Sequence, residues 1–304
     1  MSAAITTPES RAELAAVDTR TISGRAKKGL TSPWASFFAI VIAILWTLPT
    51  FGLLLSSFRP EIEIKTTGWW TAFANPDFTL DNYNEVLTGG DTELATYFVN
   101  SIVITIPSVI IPLTIASLAA YGFAWMRFPF RDTLFVAVFA LQIVPLQVAL
   151  IPLLQMYVTG GLNGTFWAIW LSHSIFALPL AIFLLHNFMK EVPRELIEAA
   201  RVDGAGHVTI FTRIMLPLVM PAIAAFGIFQ FLWVWNDLLV GLVFGSAQTT
   251  APLTVRLAEL VGNRGGDWHL LSAGAFVSMV VPVIVFISLQ RYFVRGLLAG
   301  SVKG

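Results

Sequence analysis

Long apolar runs alternate with short polar stretches from residue 34 to residue 289. Six runs, about 34–56, 98–124, 133–156, 166–188, 214–243 and 270–289, are long enough to cross a bilayer as helices, a crossing needing roughly 20 apolar residues. Pro107 and Pro112 fall inside the second run as candidate kinks, tolerated where neighbouring helices re-satisfy the backbone. Between the first two runs, residues 57–96 are polar and acidic, carrying Glu61, Glu63, Asp77, Asp81, Glu85, Asp91 and Glu93. The Trp69-Trp70 pair there suits a membrane interface, where aromatic belts sit. Residues 1–33 and 290–304 read as tails. The pattern predicts an all-α integral membrane protein with a six-helix domain over 34–289.

The segment 190–213 is a charged island between the fourth and fifth runs. From Arg194 to Val202 the apolar residues Leu196, Ile197 and Ala200 recur at helical spacing, with Arg194, Glu195, Glu198 and Arg201 around them. Pro193 suits the start of that helix, where its missing N–H has no partner to lose. Gly204 and Gly206 then offer the positive φ that ends one helix and turns into another. A helix–turn–helix across the mouth of a membrane bundle is a docking knob. Its Ala199-Ala200 pair permits close backbone approach, and the charges around it fix orientation.

Composition agrees with the pattern: 56% hydrophobic, 12% charged, mean hydropathy +0.77, values of a membrane-embedded chain. Zero net charge leaves nucleic acid no electrostatic footprint. With no cysteine, disulfides and thiolate metal sites are excluded. The first apolar run starts too late for a signal peptide and lacks a small-residue cleavage site. Six crossings place both termini on one side. Of the 18 Lys and Arg, only Arg59, Lys65, Arg256 and Arg264 fall on the other side. The positive-inside rule therefore puts both termini and the island in the cytoplasm of a prokaryotic cell membrane.

Catalytic patterns are absent. No P-loop cradles ATP phosphates, and neither His-Glu-x-x-His nor Gly-x-Ser-x-Gly occurs. His173 and His186 lie thirteen apart on the fourth run, off one helical face, and read as polar packing. Polar residues inside the runs carry more information, because lipid makes them costly. Gln142, Gln147 and Gln155 sit on the third run, and Gln230, Asn236 and Asp237 on the fifth, with Phe231, Trp233 and Trp235 nearby. Gln142, Gln147, Gln230, Asn236 and Asp237 are candidates for lining a path for a neutral sugar, which needs amide partners and aromatic faces. Gln230 and Asp237, seven apart, would share a helical face. Interhelical hydrogen bonding is the alternative reading. Asp237 alone would suit a proton relay in a secondary transporter, and a membrane enzyme acting on lipid-linked sugar lacks any catalytic group. Anionic cargo such as glycerol phosphate would call for Lys or Arg inside the runs, where there are none.

The stretch Glu198-Ala199-Ala200-Arg201-Val202-Asp203-Gly204-Ala205, followed by Phe211, Ile214, Leu216-Pro217 and Pro221, resembles the EAA loop of ABC-importer permeases. Phe78-Thr79-Leu80-Asp81-Asn82-Tyr83 is similar to a segment of the carbohydrate branch, and 296–304 looks like the tail of its smaller maltose-type permease. The resemblance spans most of 34–304. It implies an ABC permease fold and a sugar importer in which this chain forms half the path, beside a second permease. ATP and Mg would sit on a separate cytoplasmic ATPase dimer, leaving this chain no cofactor, metal or enzymatic role. Glu198, Ala199, Ala200, Asp203, Gly204, Leu216 and Pro217 would contact that ATPase, as would Gly296, Gly300 and Lys303 of the tail. Asn263, Arg264 and Asp267 would face an extracytoplasmic sugar-binding protein.

Overall fold

The computed structural model describes residues 33–89, 94–245, 249–261 and 266–299. Twelve helices are used below, and no strand forms among the described residues. Helix α1 (Pro33–Ser57) opens with proline at its first position and is followed by α2 (Glu61–Thr66), a 3₁₀ turn (Trp69–Phe73) and α3 (Asp81–Thr88). Helix α4 (Ala95–Trp125) carries Pro107 and Pro112 within one continuous helix. It is followed by α5 (Arg131–Ala140) with a 3₁₀ turn (Leu141–Ile143), α6 (Leu146–Thr159) and α7 (Phe166–Lys190). The short α8 (Arg194–Val202) leads into α9 (His207–Trp235), and α10 (Leu239–Phe244), α11 (Leu253–Val261) and α12 (Trp268–Ala299) complete the order.

Five helices, α1, α4, α7, α9 and α12, are individually long and apolar enough to span a bilayer. The third apolar run differs from the expected single crossing: α5 with its 3₁₀ turn and α6 meet at 100°. The physical cause lies at Val144-Pro145. Val144 is extended (φ −70, ψ 119), as the residue before proline prefers, and the missing proline N–H cannot continue the ladder. The fifth run also differs, because α9 ends at Trp235 and α10 begins only at Leu239. Within α9, Ile210–Met215 forms a widened π turn directly before Leu216-Pro217. That width gives the Pro217 ring room and removes the demand for its absent N–H.

Helices α4 and α7 make the most extensive pairing, and α9 packs on both. At one end of this bundle, Tyr121, Phe123, Leu185, Met189, Ile197, Ile210 and Met215 form a buried cluster. At the other end Val86, Leu94, Leu253, Leu260 and Leu270 join α3, α11 and the start of α12. Helix α1 is peripheral: nearly all its apolar side chains, Trp34 to Phe51, stay exposed, as a lipid-facing helix requires. Its far end closes against the indole of Trp69. A Cβ at Gly52 would stand 2.8 Å from Trp69 Nε1, so glycine alone permits the approach. Trp70, beside it, is exposed, as an interfacial residue would be.

One buried charge organises that far end. Arg59, 2% exposed, donates to Gly68 O (3.2 Å), Glu63 Oε2 (2.9 Å), Thr67 Oγ1 (2.5 Å) and Thr71 Oγ1 (3.0 Å). Asn82 of α3 then donates to the carbonyls of Ser57 and Arg59 at 3.0 and 2.8 Å. Arg59 and the three side chains around it are spaced by four residues, 59, 63, 67 and 71, and the three fold around the guanidinium as a shell.

Candidate functional site

Helix α8 lies across the end of the bundle where α4 and α7 finish. Ile197 is its one buried residue, 1% exposed, packed into the cluster with Met189, Ile210 and Met215. Glu195, Glu198, Ala199, Arg201, Val202 and Asp203 remain exposed, Ala200 is half-buried, and Val202 is 88% exposed. The helix ends in a complete Schellman motif. Gly204 N–H donates to Arg201 O (3.0 Å) and Ala205 N–H to Ala200 O (2.9 Å), with Gly204 at φ +83. Gly206 differs from expectation: its φ is −76, an ordinary extended residue preceding α9. Only one of the two glycines carries the left-handed turn.

The knob is pinned from behind by α4. Tyr121 Oη lies 3.0 Å from His207 Nδ1, and the Tyr121 ring packs on Phe211. Trp125 Nε1 donates to Met189 O at 3.0 Å, tying the ends of α4 and α7 together. The sequence carries no local signal for these hydrogen-bonded pairs, whose members stand 86 and 64 residues apart. Tyr121→Phe is expected to weaken the junction by about 1 kcal/mol, the worth of one hydrogen bond. Amide exchange at Gly204–His207, followed by mass spectrometry, should then speed up about fivefold. Leu216 (half-buried) and Pro217 (exposed) lie further along, at the start of the long part of α9 and away from the tip.

The intramembrane polar residues do not converge. Gln142 and Gln147 flank the Val144-Pro145 bend and are exposed, as is Gln155. Gln230 lies inside this chain's own packing, 0% exposed, donating to Ser108 O at 3.3 Å. Asn236 is exposed and bonds back to Leu232 O. Asp237 lies past the end of α9, so it no longer continues the helical face of Gln230. Its Oδ2 accepts from Val240 N–H (2.8 Å), serving the first turn of α10, and stands 4.0 Å from His173 Nε2. His173 and His186 are both buried. Asp267 is exposed before α12, its carbonyl accepting from Leu271 N–H. Gly296 falls within α12, whereas Asn263, Arg264, Gly300 and Lys303 lie outside the described residues. Among the described residues no group of three His, Cys, Asp or Glu side chains comes together for a metal.

A family model for the binding-protein-dependent transport system inner membrane component matches residues 24–298. The chain belongs to that family. The osmoprotective compounds uptake permease protein GgtD of Synechocystis is 55% identical over 269 residues, covering 87% of this chain and 90% of that one. The alpha-glucoside transport system permease protein AglG of Rhizobium meliloti is 40% identical, covering 89% and 97%. A crystal structure of a bacterial ABC transporter involved in import of the acidic polysaccharide alginate has the same fold. Its TM-score is 0.69 at 21% identity, covering 86% of this chain and 98% of that chain. The all-α permease fold expected from the sequence is thus the fold of this inner-membrane family, and the chain is an integral membrane permease.

Proposed function

We propose that this permease serves an ATP-driven importer of neutral sugars or related polyhydroxylated solutes, with α8 and the turn at Gly204 as its coupling element. The observation that carries the reading is the α8–α9 knob. It is rigidly ended, pinned by Tyr121, and leaves Glu198, Ala199, Val202 and, beyond the turn, Val208 (77% exposed) open to the surroundings. Exposed Val202 and Val208 beside charged Glu198 and Asp203 suit the cleft of a cytoplasmic ATPase dimer. Energy would come from ATP and Mg held by that dimer, and this chain would convert its closure into rocking of the spans. A second permease would complete the path, with Gln142 and Gln147 at the α5–α6 bend among its lining residues. Asp267, with Asn263 and Arg264, would meet a sugar-binding protein on the far side, and the tail carrying Gly296, Gly300 and Lys303 would add an ATPase contact.

Support for neutral cargo comes from the six apolar runs of the sequence, which contain no Lys or Arg, and from the alpha-glucoside relative. The engagement of Asp237 with Val240 N–H speaks against a free proton relay. Uptake of a labelled alpha-glucoside in cells tests the reading. Uptake should collapse on ATP depletion and survive an ionophore; the reverse pattern would return Asp237 and proton coupling to the front. Orientation is checked in the same cells. The chain has no cysteine, so Val202→Cys gives a single label site, expected to react with a membrane-impermeant maleimide only after the cells are opened.

A further inference from the structure

Beside α8 is a cavity of about 520 Å³ between the ends of α4 and α7, the start of α5 and α8 itself. Its wall carries Arg127, Arg131, Lys190, Arg194 and Arg201 against only two acids, Asp132 and Glu198. Arg131 pairs with Asp132 at 2.8 Å. The other four cations form no ion pair among the described residues. Helix dipoles explain two of the five, since Lys190 and Arg201 lie in last turns. They do not explain Arg131 and Arg194, each the first residue of its helix, where the dipole disfavours a cation. Nor do they explain Arg127, in the turn between α4 and α5. These charges are gathered around a space that an anion would fill with favourable charge.

The cavity continues into a second of about 440 Å³ that shares Arg127, Arg131 and Asp132 and adds Phe128, Phe130 and Thr133. Phe130 has φ 58 and is 81% exposed. A bulky residue in the left-handed region with its ring bared to the surroundings is strained, and burial within the protein does not repay it. An apolar medium outside would. From there Leu134 and Val136 of α5 continue an exposed apolar surface. Cations around a hollow, with an apolar strip leading away, match an acidic headgroup and its acyl chain.

From this arrangement we infer a binding site for an acidic phospholipid of the leaflet at the α8 end. Its phosphate lies among Arg127, Arg131, Lys190 and Arg194, and its chain follows Phe130 and Leu134. Guanidinium groups suit phosphate oxygens because they donate in a planar fork. A lipid held there bridges the α4–α5 turn to α8, so its occupancy reports on the position of the knob. The leaflet assignment rests on the orientation given above; the binding itself does not.

The test is native mass spectrometry of the purified full-length chain in neutral detergent. It is titrated with phosphatidylglycerol, with phosphatidylcholine, and with glycerol 3-phosphate as a soluble phosphate ester without acyl chains. Phosphatidylglycerol should bind at least tenfold more tightly than phosphatidylcholine, and glycerol 3-phosphate should not displace it at equal concentration. Each basic side chain near an anionic lipid contributes about 1 kcal/mol, or about fivefold in affinity, so Arg127→Gln with Arg131→Gln should weaken binding about 25-fold. Lys190→Gln with Arg194→Gln, on other helices, should do the same, whereas Arg213→Gln, outside the cavity, should bind as the wild type. Variants are compared only where their melting matches the wild type. Equal binding of the two lipids, displacement by glycerol 3-phosphate, or wild-type affinity in either folded pair would overturn the site.

Discussion

Gly204→Val is expected to lower ATP-dependent uptake about tenfold while the chain still folds and inserts, and Gly204→Asn is expected to keep most of it. Gly204 sits at φ +83, and a Cβ there would meet nothing within 4 Å. Space is therefore not the issue; backbone conformation is. A β-branched residue in the left-handed region costs about 1–2 kcal/mol, and each 1.4 kcal/mol is a factor of ten in population. The two Schellman bonds, from Gly204 to Arg201 and from Ala205 to Ala200, are the contacts that would loosen. The damage would therefore fall on the angle between α8 and α9, which sets the aim of Glu198. Asparagine visits this region readily. Uptake and ATP hydrolysis measured together check the point: loss of uptake with hydrolysis retained marks uncoupling, whereas wild-type uptake in the valine variant would dissociate the turn from transport.

Arg59→Leu should be the most destabilising single change outside the knob. Removing the guanidinium strands Glu63 Oε2, Gly68 O and two threonine hydroxyls that now accept from it. Breaking a buried charged network of this kind costs about 3 kcal/mol. For a chain of this size that corresponds to a melting temperature lower by about 6–12 °C. Arg59→Lys should fall between, since one ammonium cannot reach in the directions that the fork covers. Melting of the detergent-solubilised chain measures both. The effect should be seen first as loosening of the contacts that Asn82 makes with Ser57 and Arg59, because those carbonyls are held in place by the same knot.

Much of the architecture follows from hydropathy, and the exceptions have physical causes. A window average finds the third apolar run but is blind to its direction, so the 100° bend at Val144-Pro145 was not visible. Proline alone is no guide, because Pro107, Pro112, Pro179 and Pro282 all lie inside continuous helices here. At Pro145 the preceding residue, Val144, is extended (φ −70, ψ 119), a local conformation that hydropathy does not read. The knob was legible because its signals are local: an amphipathic turn pattern around Ile197 and a glycine at the end. Gly206 carries the same signal, yet needs no positive φ, since the chain has already turned at Gly204. The Arg59 shell was legible in principle, through the four-residue spacing of Arg59, Glu63, Thr67 and Thr71. The partnership of Tyr121 with His207 was not, because it exists only once α4 and α9 have packed.

On the function proposed above, the α8 knob is where an ATPase docks. Co-purification of wild type and Glu198→Lys with the ATPase subunits from the same cells tests it most directly. If the reading holds, wild type brings the ATPase down and the Glu198→Lys chain, folded and inserted to the same level, does not. Equal recovery of the ATPase with both chains, or active transport by a wild type that brings down no ATPase, would contradict it.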